Sequence, residues 1–161
     1  MTWSVANSGH ARTSLCVQHR MPWPELVELL TVPTVHSGEK TALPAWSPVE
    51  LQPAEDGTLR RGNRYVQSVS CVVLDLDRGE PLDRVEGLCA GLRCALHTSW
   101  SHTPEHPKAR VVVPLAEPAP AARWADVWGA AARWAASHGL TVDAATKDQA
   151  RLFFVPATPP D

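Results

Sequence analysis

The sequence lacks several features that would assign it to a function class at once. It has no basic excess, because 15 Lys and Arg are set against 17 Asp and Glu, for a formal net charge of −2. Any contact with nucleic acid must therefore use a local basic patch or bound cations. No apolar run approaches membrane-spanning length, and the first residues have no long apolar core of the signal-peptide kind. We expect a cytoplasmic protein with no membrane partner.

Metal-binding cysteine patterns are also missing. The cysteines are Cys16, Cys71, Cys89 and Cys94. None forms a Cys-x-x-Cys pair, which argues against a zinc ribbon, and we predict buried free thiols instead. His97, His102 and His106 flank a proline-containing loop rather than share a helix face, which disfavours a zinc site.

The length and the apolar pattern predict one α+β domain over residues 1–161. Residues 1–65 are predicted to form an N-terminal α/β extension packed on a regular unit over residues 66–157. In that unit the predicted strands are 69–76, 93–98, 109–115 and 151–155, with helices from 81 and over 120–138. The order β-α-β-β-α-β is the split βαβ, ferredoxin-like or RRM-like arrangement.

This topology brings distant polar residues to one edge of the predicted sheet. In the usual strand order, strands one and two end where strands three and four begin. The residues at those four places are Asp75 and Asp77, Ser101 and His102, Arg110, and Asp143 with Asp148. We expect them to lie close together.

The first strand separates its side chains by face. Alternation places Val72, Leu74 and Leu76 under the helices, and Asp75 and Asp77 on an open face. Carboxylates spaced in this way, about 6.5–7 Å apart, suit hard divalent cations. Two such ions about 3.5–4 Å apart can activate a 3′-hydroxyl and stabilise a leaving pyrophosphate. The same Asp-x-Asp pattern also fits a solvated strand end.

Two further residues suit phosphate binding. His102 could offer an imidazole to a nucleotide phosphate, and the Arg110 guanidinium has the fork geometry of a phosphate clamp. Each could equally be an ordinary surface residue. Trp100 could stack on a base or simply cover the loop.

Several segments resemble the motifs of the archaeo-eukaryotic primase superfamily, in its phage and plasmid branches. LDLD (74–77) resembles the first motif. HTSWSHT (97–103) with ARVVVPL (109–115) resembles the second motif and its next strand. VD (142–143) before KDQARLFFVP (147–156) resembles the third. EK (39–40) through LPAW (43–46) is similar to the segment before the palm, so the resemblance covers about residues 36–157.

The resemblance implies roles for these residues. Asp75, Asp77 and Asp143 would be the catalytic acids and would bind two Mg²⁺ or Mn²⁺ ions. The residues implied in nucleotide binding are His102, Ser101, Arg110 and Lys40. Asp148 is the other candidate for the third acid, but it is three residues from Arg151, a spacing that favours a local turn bond. We therefore expect Asp143 to face the first two acids.

The implied activity is that of a metal-dependent nucleotidyltransferase, a DNA primase or polymerase. Its partners would be a single-stranded DNA template and NTP or dNTP, and a replicative helicase is a further candidate partner. The alternatives are a non-catalytic replication-initiator module with a palm-like fold, a cyclase or oligonucleotide synthase that acts on nucleotides alone, and a nuclease.

Overall fold

The computed structural model describes residues 1–158 and 160, and their secondary structure is mixed. The strands are β1 (Thr2–Ser8), β2 (Val17–Pro22), β3 (Thr34–Val35), β4 (Ala45–Ser47), β5 (Val49–Leu51), β6 (Val66–Leu76), β7 (Ala95–Thr98), β8 (Ala109–Pro120), β9 (Phe153–Phe154) and β10 (Ala157–Thr158). The α-helices are α1 (Trp23–Thr31), α2 (Leu82–Cys89) and α3 (Trp124–Ser137). In the described residues, no helix has the length and apolar character needed to cross a membrane.

The central sheet has the order β5-β6-β8-β7. Strand β8 is antiparallel to both β6 and β7, so β6 and β7 run parallel to each other. Helix α2 connects β6 to β7, and α3 follows β8. The predicted α+β fold class, with its split βαβ core, is confirmed.

The last strand lies elsewhere than predicted. Residues 151–155 were predicted to be the fourth strand of the regular unit, but in the central sheet β5 is the outer neighbour of β6. Strand β9 is only two residues long and pairs with β4 in a second sheet of order β2-β1-β4-β9. The Val155 N–H donates to the Pro44 carbonyl, which continues the β4–β9 register by one residue. Pro156 then has no N–H to donate, so the pairing does not extend further.

One face of the central sheet packs on α2 and α3. The β6 residues on this face, Val72, Leu74 and Leu76, are buried as predicted. They share a core with residues from the two helices: Val85, Leu88, Trp124 and Ala135. Helical amphipathicity and strand alternation together explain this layer.

The other face was predicted to be open, and this expectation is wrong for most of its length. Cys71, Val73 and Val112 are buried there under a layer made from the N-terminal part of the chain. The covering residues are Trp3, Val5, Leu26, Leu30, Trp46 and Phe153. These large apolar side chains need burial, and the apolar half of the sheet face is the surface that offers it. The cover ends near the carboxyl end of β6, where polar residues begin.

Candidate functional site

A row of charged and polar side chains crosses three strands where the apolar cover ends. Asp75 of β6 lies opposite Arg110 of β8, and Arg110 lies opposite His97 of β7. The Nη2 of Arg110 donates to Asp75 Oδ1 and Oδ2 at 3.2 and 3.1 Å. The side chains are only 9% and 15% exposed, so this is a largely buried ion pair rather than a surface contact.

Arg110 has further contacts with the last strand. Its guanidinium carbon lies 4.9 Å from the centre of the Phe153 ring, a cation–π distance, and its Nη1 donates weakly to the Phe154 carbonyl at 3.4 Å. Its Nε is buried and finds no hydrogen-bond partner in the described part of the chain. Arg110 is thus held in place with one donor unused.

His97 is a member of the row that the sequence analysis did not assign to the site. Its Nδ1 lies 2.9 Å from the Thr98 carbonyl, and because a carbonyl only accepts, Nδ1 carries the proton. Burial, and then the positive charge of Arg110, lower the pKa of His97 to about 4. The ring is therefore neutral at pH 7 and its buried Nε2 is an unused acceptor, without a partner among the described residues. Alternation from buried Ala95 was the signal that could have placed His97 on this face.

Lys40 extends the row from the N-terminal layer. Its Nζ lies 5.3 Å from the centre of the Phe154 ring. Burial, and next the charge of Arg110, lower the Lys40 pKa. The structure thus brings two of the predicted nucleotide-binding residues, Lys40 and Arg110, to one place.

These side chains line a narrow cleft. Its walls include Lys40, His97, Trp100, Arg110 and Phe154. The cleft volume is about 10 Å³, which is space for about one water molecule. Trp100, which lies in the loop between β7 and β8, forms one wall of the cleft.

The other two predicted nucleotide-binding residues do not line this cleft. The Nδ1 of His102 accepts from the Lys108 N–H at 3.1 Å, and the His102 N–H donates to the Ser99 carbonyl. His102 therefore shapes the loop between β7 and β8. Ser101 is exposed in the same loop. A direct contact between either residue and a nucleotide stays a prediction.

The candidate acids meet at the end of β6. The Asp143 N–H donates to the Asp75 carbonyl at 2.8 Å, so Asp143 lies beside this strand end although 68 positions separate the two in the chain. Asp77 is exposed directly after β6, and the Nε2 of His106 donates to its carbonyl at 3.1 Å.

Asp143 and Asp148 each form a local bond. The carboxylate of Asp143 caps the 3-10 helix Ala144–Lys147 by accepting from the Ala145 N–H at 3.0 Å. The carboxylate of Asp148 accepts from the Ala150 N–H at 3.3 Å, which is the kind of turn bond expected for it. Only Asp143 also has a backbone bond to Asp75.

Comparison with known proteins identifies the family. Residues 55–161 match the VapE N-terminal domain. The chain belongs to the VapE N-terminal domain family. The matched segment includes the whole charged row of Asp75, Arg110 and His97, whereas Lys40 lies before it. No curated protein matches the sequence.

Two solved structures are similar to the fold. The AEP domain of the primase-polymerase of cyanophage S-2L aligns with a TM-score of 0.52 and 9% identity, over 94% of this chain and 72% of that one. The polymerase domain of ligase D from Mycobacterium tuberculosis, in complex with DNA, aligns with a TM-score of 0.44 and 12% identity, over 96% of this chain and 57% of that one. The first alignment shows that this member of the family has the fold of an AEP domain.

The acids have the chemistry for a divalent cation but are not assembled around one. Mg²⁺ and Mn²⁺ prefer oxygen ligands, and Asp75, Asp77 and Asp143 offer three carboxylates at one strand end. In residues 1–158 and 160, however, no three His, Cys, Asp or Glu side chains are grouped to hold a metal. The Arg110 ion pair occupies Asp75, and the helix cap occupies Asp143. The helix cap uses one carboxylate oxygen of Asp143, whereas Arg110 contacts both oxygens of Asp75.

Proposed function

We propose that this domain is a metal-dependent nucleotidyltransferase, a DNA primase or polymerase that makes or extends a primer on a single-stranded DNA template. The observation that carries the proposal is the Asp75–Arg110–His97 row. Asp77 and Asp143 lie near the Asp75 end of this row, and Lys40 lines the same cleft as Arg110 and His97. The chain that carries the row has the AEP fold. This arrangement puts anion-binding groups next to acids that can hold cations.

Arg110 is the residue through which nucleotide binding and the acids are coupled. A guanidinium fork binds a phosphate and a carboxylate with similar geometry, so a triphosphate at the cleft competes with Asp75 for Arg110. When the triphosphate takes the fork, assisted by Lys40, the Asp75 carboxylate is released. It can then join Asp77 and Asp143.

The released acids would hold Mg²⁺ or Mn²⁺. Such a cation, when bound, supplies charge stabilisation to the phosphoryl oxygens and lowers the pKa of the attacking hydroxyl. The neutral Nε2 of His97 can accept a hydrogen bond from a nucleotide hydroxyl or amine once Trp100 has opened the cleft. His102 and Ser101 remain part of the proposal as residues of the loop that closes over the nucleotide. The proposal also includes a cytoplasmic location and a replicative helicase as partner.

A primer synthesis and extension assay tests this function. The wild-type protein, a labelled primer, a single-stranded template, NTP or dNTP, and Mg²⁺ or Mn²⁺ should give longer products. Asp75→Asn, Asp77→Asn and Asp143→Asn should each reduce the rate by about 100-fold or more, since a lost metal ligand removes several kcal/mol of transition-state stabilisation. Asp126→Asn, in the exposed ion pair with Arg123, is the matched control and should not change it.

The product identifies the activity. Shorter products would indicate a nuclease, and products made equally well without template would indicate a cyclase or an oligonucleotide synthase. If the wild-type protein and all three Asn variants give the same products, the proposed catalysis is wrong.

A second function is favoured by the closed state of the acid site. Asp75 is bound by Arg110, and the described residues contain no assembled set of three metal ligands. Both features suit a non-catalytic replication-initiator module that binds nucleic acid with a palm-like fold. Binding of single-stranded DNA that is unaffected by a metal chelator, together with no nucleotidyl transfer, would establish this second function.

A further inference from the structure

A second cavity shares one lining residue, Phe154, with the nucleotide cleft. It is lined by Ala11, Arg61, Asp148, Arg151, Leu152 and Phe154. Phe154 is the shared wall, because it also lines the cleft with Lys40 and Arg110.

The two arginines of this cavity form no ion pair with the described residues. Within residues 1–158 and 160, no carboxylate lies within 4.0 Å of Arg61 or Arg151, whereas five other arginines form such pairs. Asp148, which lines the same cavity, is exposed and outside this distance. Both guanidinium groups are therefore free to bind an anion.

Buried polar atoms without partners concentrate around Phe154. Seven such side-chain atoms occur in the described residues. Four of them belong to residues that line the two cavities: Arg61 Nε, His97 Nε2, Arg110 Nε and Arg151 Nε. A buried donor without a partner is costly. Arg61 and Arg151 also line the second cavity, and the fork geometry of a guanidinium suits an oxyanion.

The backbone holds both arginines in position. The Arg61 N–H donates to the Ser14 carbonyl at 2.6 Å. The Arg151 N–H donates to the Asp148 carbonyl at 3.0 Å, and the Arg151 carbonyl accepts from the Ser47 hydroxyl at 2.7 Å. These bonds fix the backbone at both positions.

We propose that Arg61 and Arg151 bind a backbone phosphate of the single-stranded nucleic acid, in the cavity that shares Phe154 with the nucleotide cleft. This inference deepens the proposed function and depends on its nucleic-acid partner. The cavity holds about 270 Å³, less than the roughly 300–1,000 Å³ of sites that enclose a whole small molecule. It therefore suits one phosphate of a strand that passes across the surface better than a second complete nucleotide.

The test compares two double variants in the full chain. Arg61→Gln/Arg151→Gln removes the two cavity charges, and Arg93→Gln/Arg133→Gln removes two charges from exposed positions. Binding of a fluorescently labelled oligothymidylate is measured by anisotropy at several salt concentrations, with metal chelated. Triphosphate affinity is measured separately by calorimetry.

The expected result is a loss of at least about 10-fold in oligonucleotide affinity for the cavity variant, with triphosphate affinity within about 2-fold. The slope of log affinity against log salt should fall by about 0.7 for each phosphate that the variant no longer neutralises. The control double variant should lose less than about 3-fold. Asp148→Asn should act in the opposite direction and raise oligonucleotide affinity about 2-fold, because it removes the one acid that lines the cavity in the described residues.

Three results would overturn the inference: equal losses in both double variants, no loss in the cavity variant, or a loss confined to the triphosphate. Arg61→Lys/Arg151→Lys keeps both charges and should retain most of the affinity. If the Gln double variant does not fold, the oligonucleotide affinities of this Lys variant and of Asp148→Asn test the inference instead. None of these measurements needs catalysis, so failed nucleotidyl transfer with a positive result here contradicts only the enzymatic part of the proposed function.

Discussion

The two faces of strand β6 have different surroundings, although the residues of both faces alternate along one segment of the chain. On the face toward α2 and α3, Val72, Leu74 and Leu76 are all buried among apolar neighbours. On the opposite face, Cys71 and Val73 are buried as well, but the next position is Asp75, with its ion pair to Arg110. One face is a continuous core, whereas the other changes from core to charged site within two residues.

The two faces also differ in the polar and charged groups that they bury. The charged end of the second face holds a buried ion pair, a neutral histidine and several unpartnered donors. Such groups contribute less to stability than well-packed apolar ones would. Ligand binding is the role that we propose for them. On this side the N-terminal part of the chain also supplies Lys40 to the cleft and Arg61 to the second cavity.

The largest expected stability effect is on the helix face. Leu74→Ala should lower the free energy of unfolding by about 2–5 kcal/mol, because it removes a fully buried side chain from a packed core. Urea titration measures this decrease. Triphosphate affinity, measured where the variant is folded, should stay unchanged. Leu92→Ala, at a position 40% exposed, should cost less than about 1 kcal/mol. A large drop in affinity with Leu74→Ala would show that the two faces are not separable.

The ion pair gives the next largest effect. Asp75→Ala should cost about 3 kcal/mol, because it leaves the guanidinium of Arg110 buried without its counter-charge. Asp77→Ala should change stability by less than about 0.5 kcal/mol, since Asp77 is exposed. The two acids of the Asp-x-Asp pattern thus differ in their contributions to the free energy of unfolding, even though both are proposed to act in catalysis. Equal unfolding free energies for the two variants would contradict the description of Asp75 and Arg110 as a buried pair.

His97 should give a smaller effect that depends on pH. Its pKa of about 4 in the folded protein lies below the usual 6.5, so the unfolded chain binds the extra proton first as pH falls. The contribution of neutral His97 to the free energy of unfolding is fully present above pH 6.5 and is lost progressively as the pH falls from 6.5 to 4. Between pH 6.5 and 5 the loss amounts to about 2 kcal/mol.

The measurement is the difference between wild type and His97→Gln in urea titrations at pH 7.5 and pH 5. This subtraction removes the contributions of other groups. The wild-type protein should lose about 2 kcal/mol more than the variant over this interval. Equal losses would mean that His97 is not held neutral by its surroundings.

The smallest effect separates the two candidates for the third acid. Asp143→Ala should cost about 1 kcal/mol, because it removes the side-chain cap of the 3-10 helix. Asp148→Ala should cost less, since its turn bond is long at 3.3 Å. Only Asp143→Ala should also abolish nucleotidyl transfer. Loss of transfer with Asp148→Ala alone would assign the third metal ligand to Asp148 instead.

The sequence carries enough information for the central sheet and part of the site. Strand and helix periodicity is strong in residues 69–138, and it correctly indicates three strands of the central sheet, both helices, and the burial of Val72, Leu74 and Leu76. The shared strand edge also brings Asp75, Arg110 and Asp143 near one another. These features depend on local periodicity and on handedness rules that few topologies satisfy.

The remaining features depend on contacts between distant segments. Strands β4, β5 and β9 are two or three residues long, and periodicity cannot decide the partners of such short strands. The expected open face was wrong because Trp3 and Trp46, far from β6 in sequence, cover it. Arg61 and Arg151 are 90 positions apart, and only the folded chain brings them to one cavity.

The central claim is that a nucleotide triphosphate and Asp75 compete for Arg110 at the charged end of the sheet. Calorimetric titration with a nucleoside triphosphate in the presence of a metal chelator tests it directly. Asp75→Asn should bind the triphosphate several-fold more tightly than wild type, Lys40→Gln should bind about 10-fold more weakly, and Arg133→Gln should match wild type. Weaker binding by Asp75→Asn, or unchanged binding by Lys40→Gln, would contradict the account.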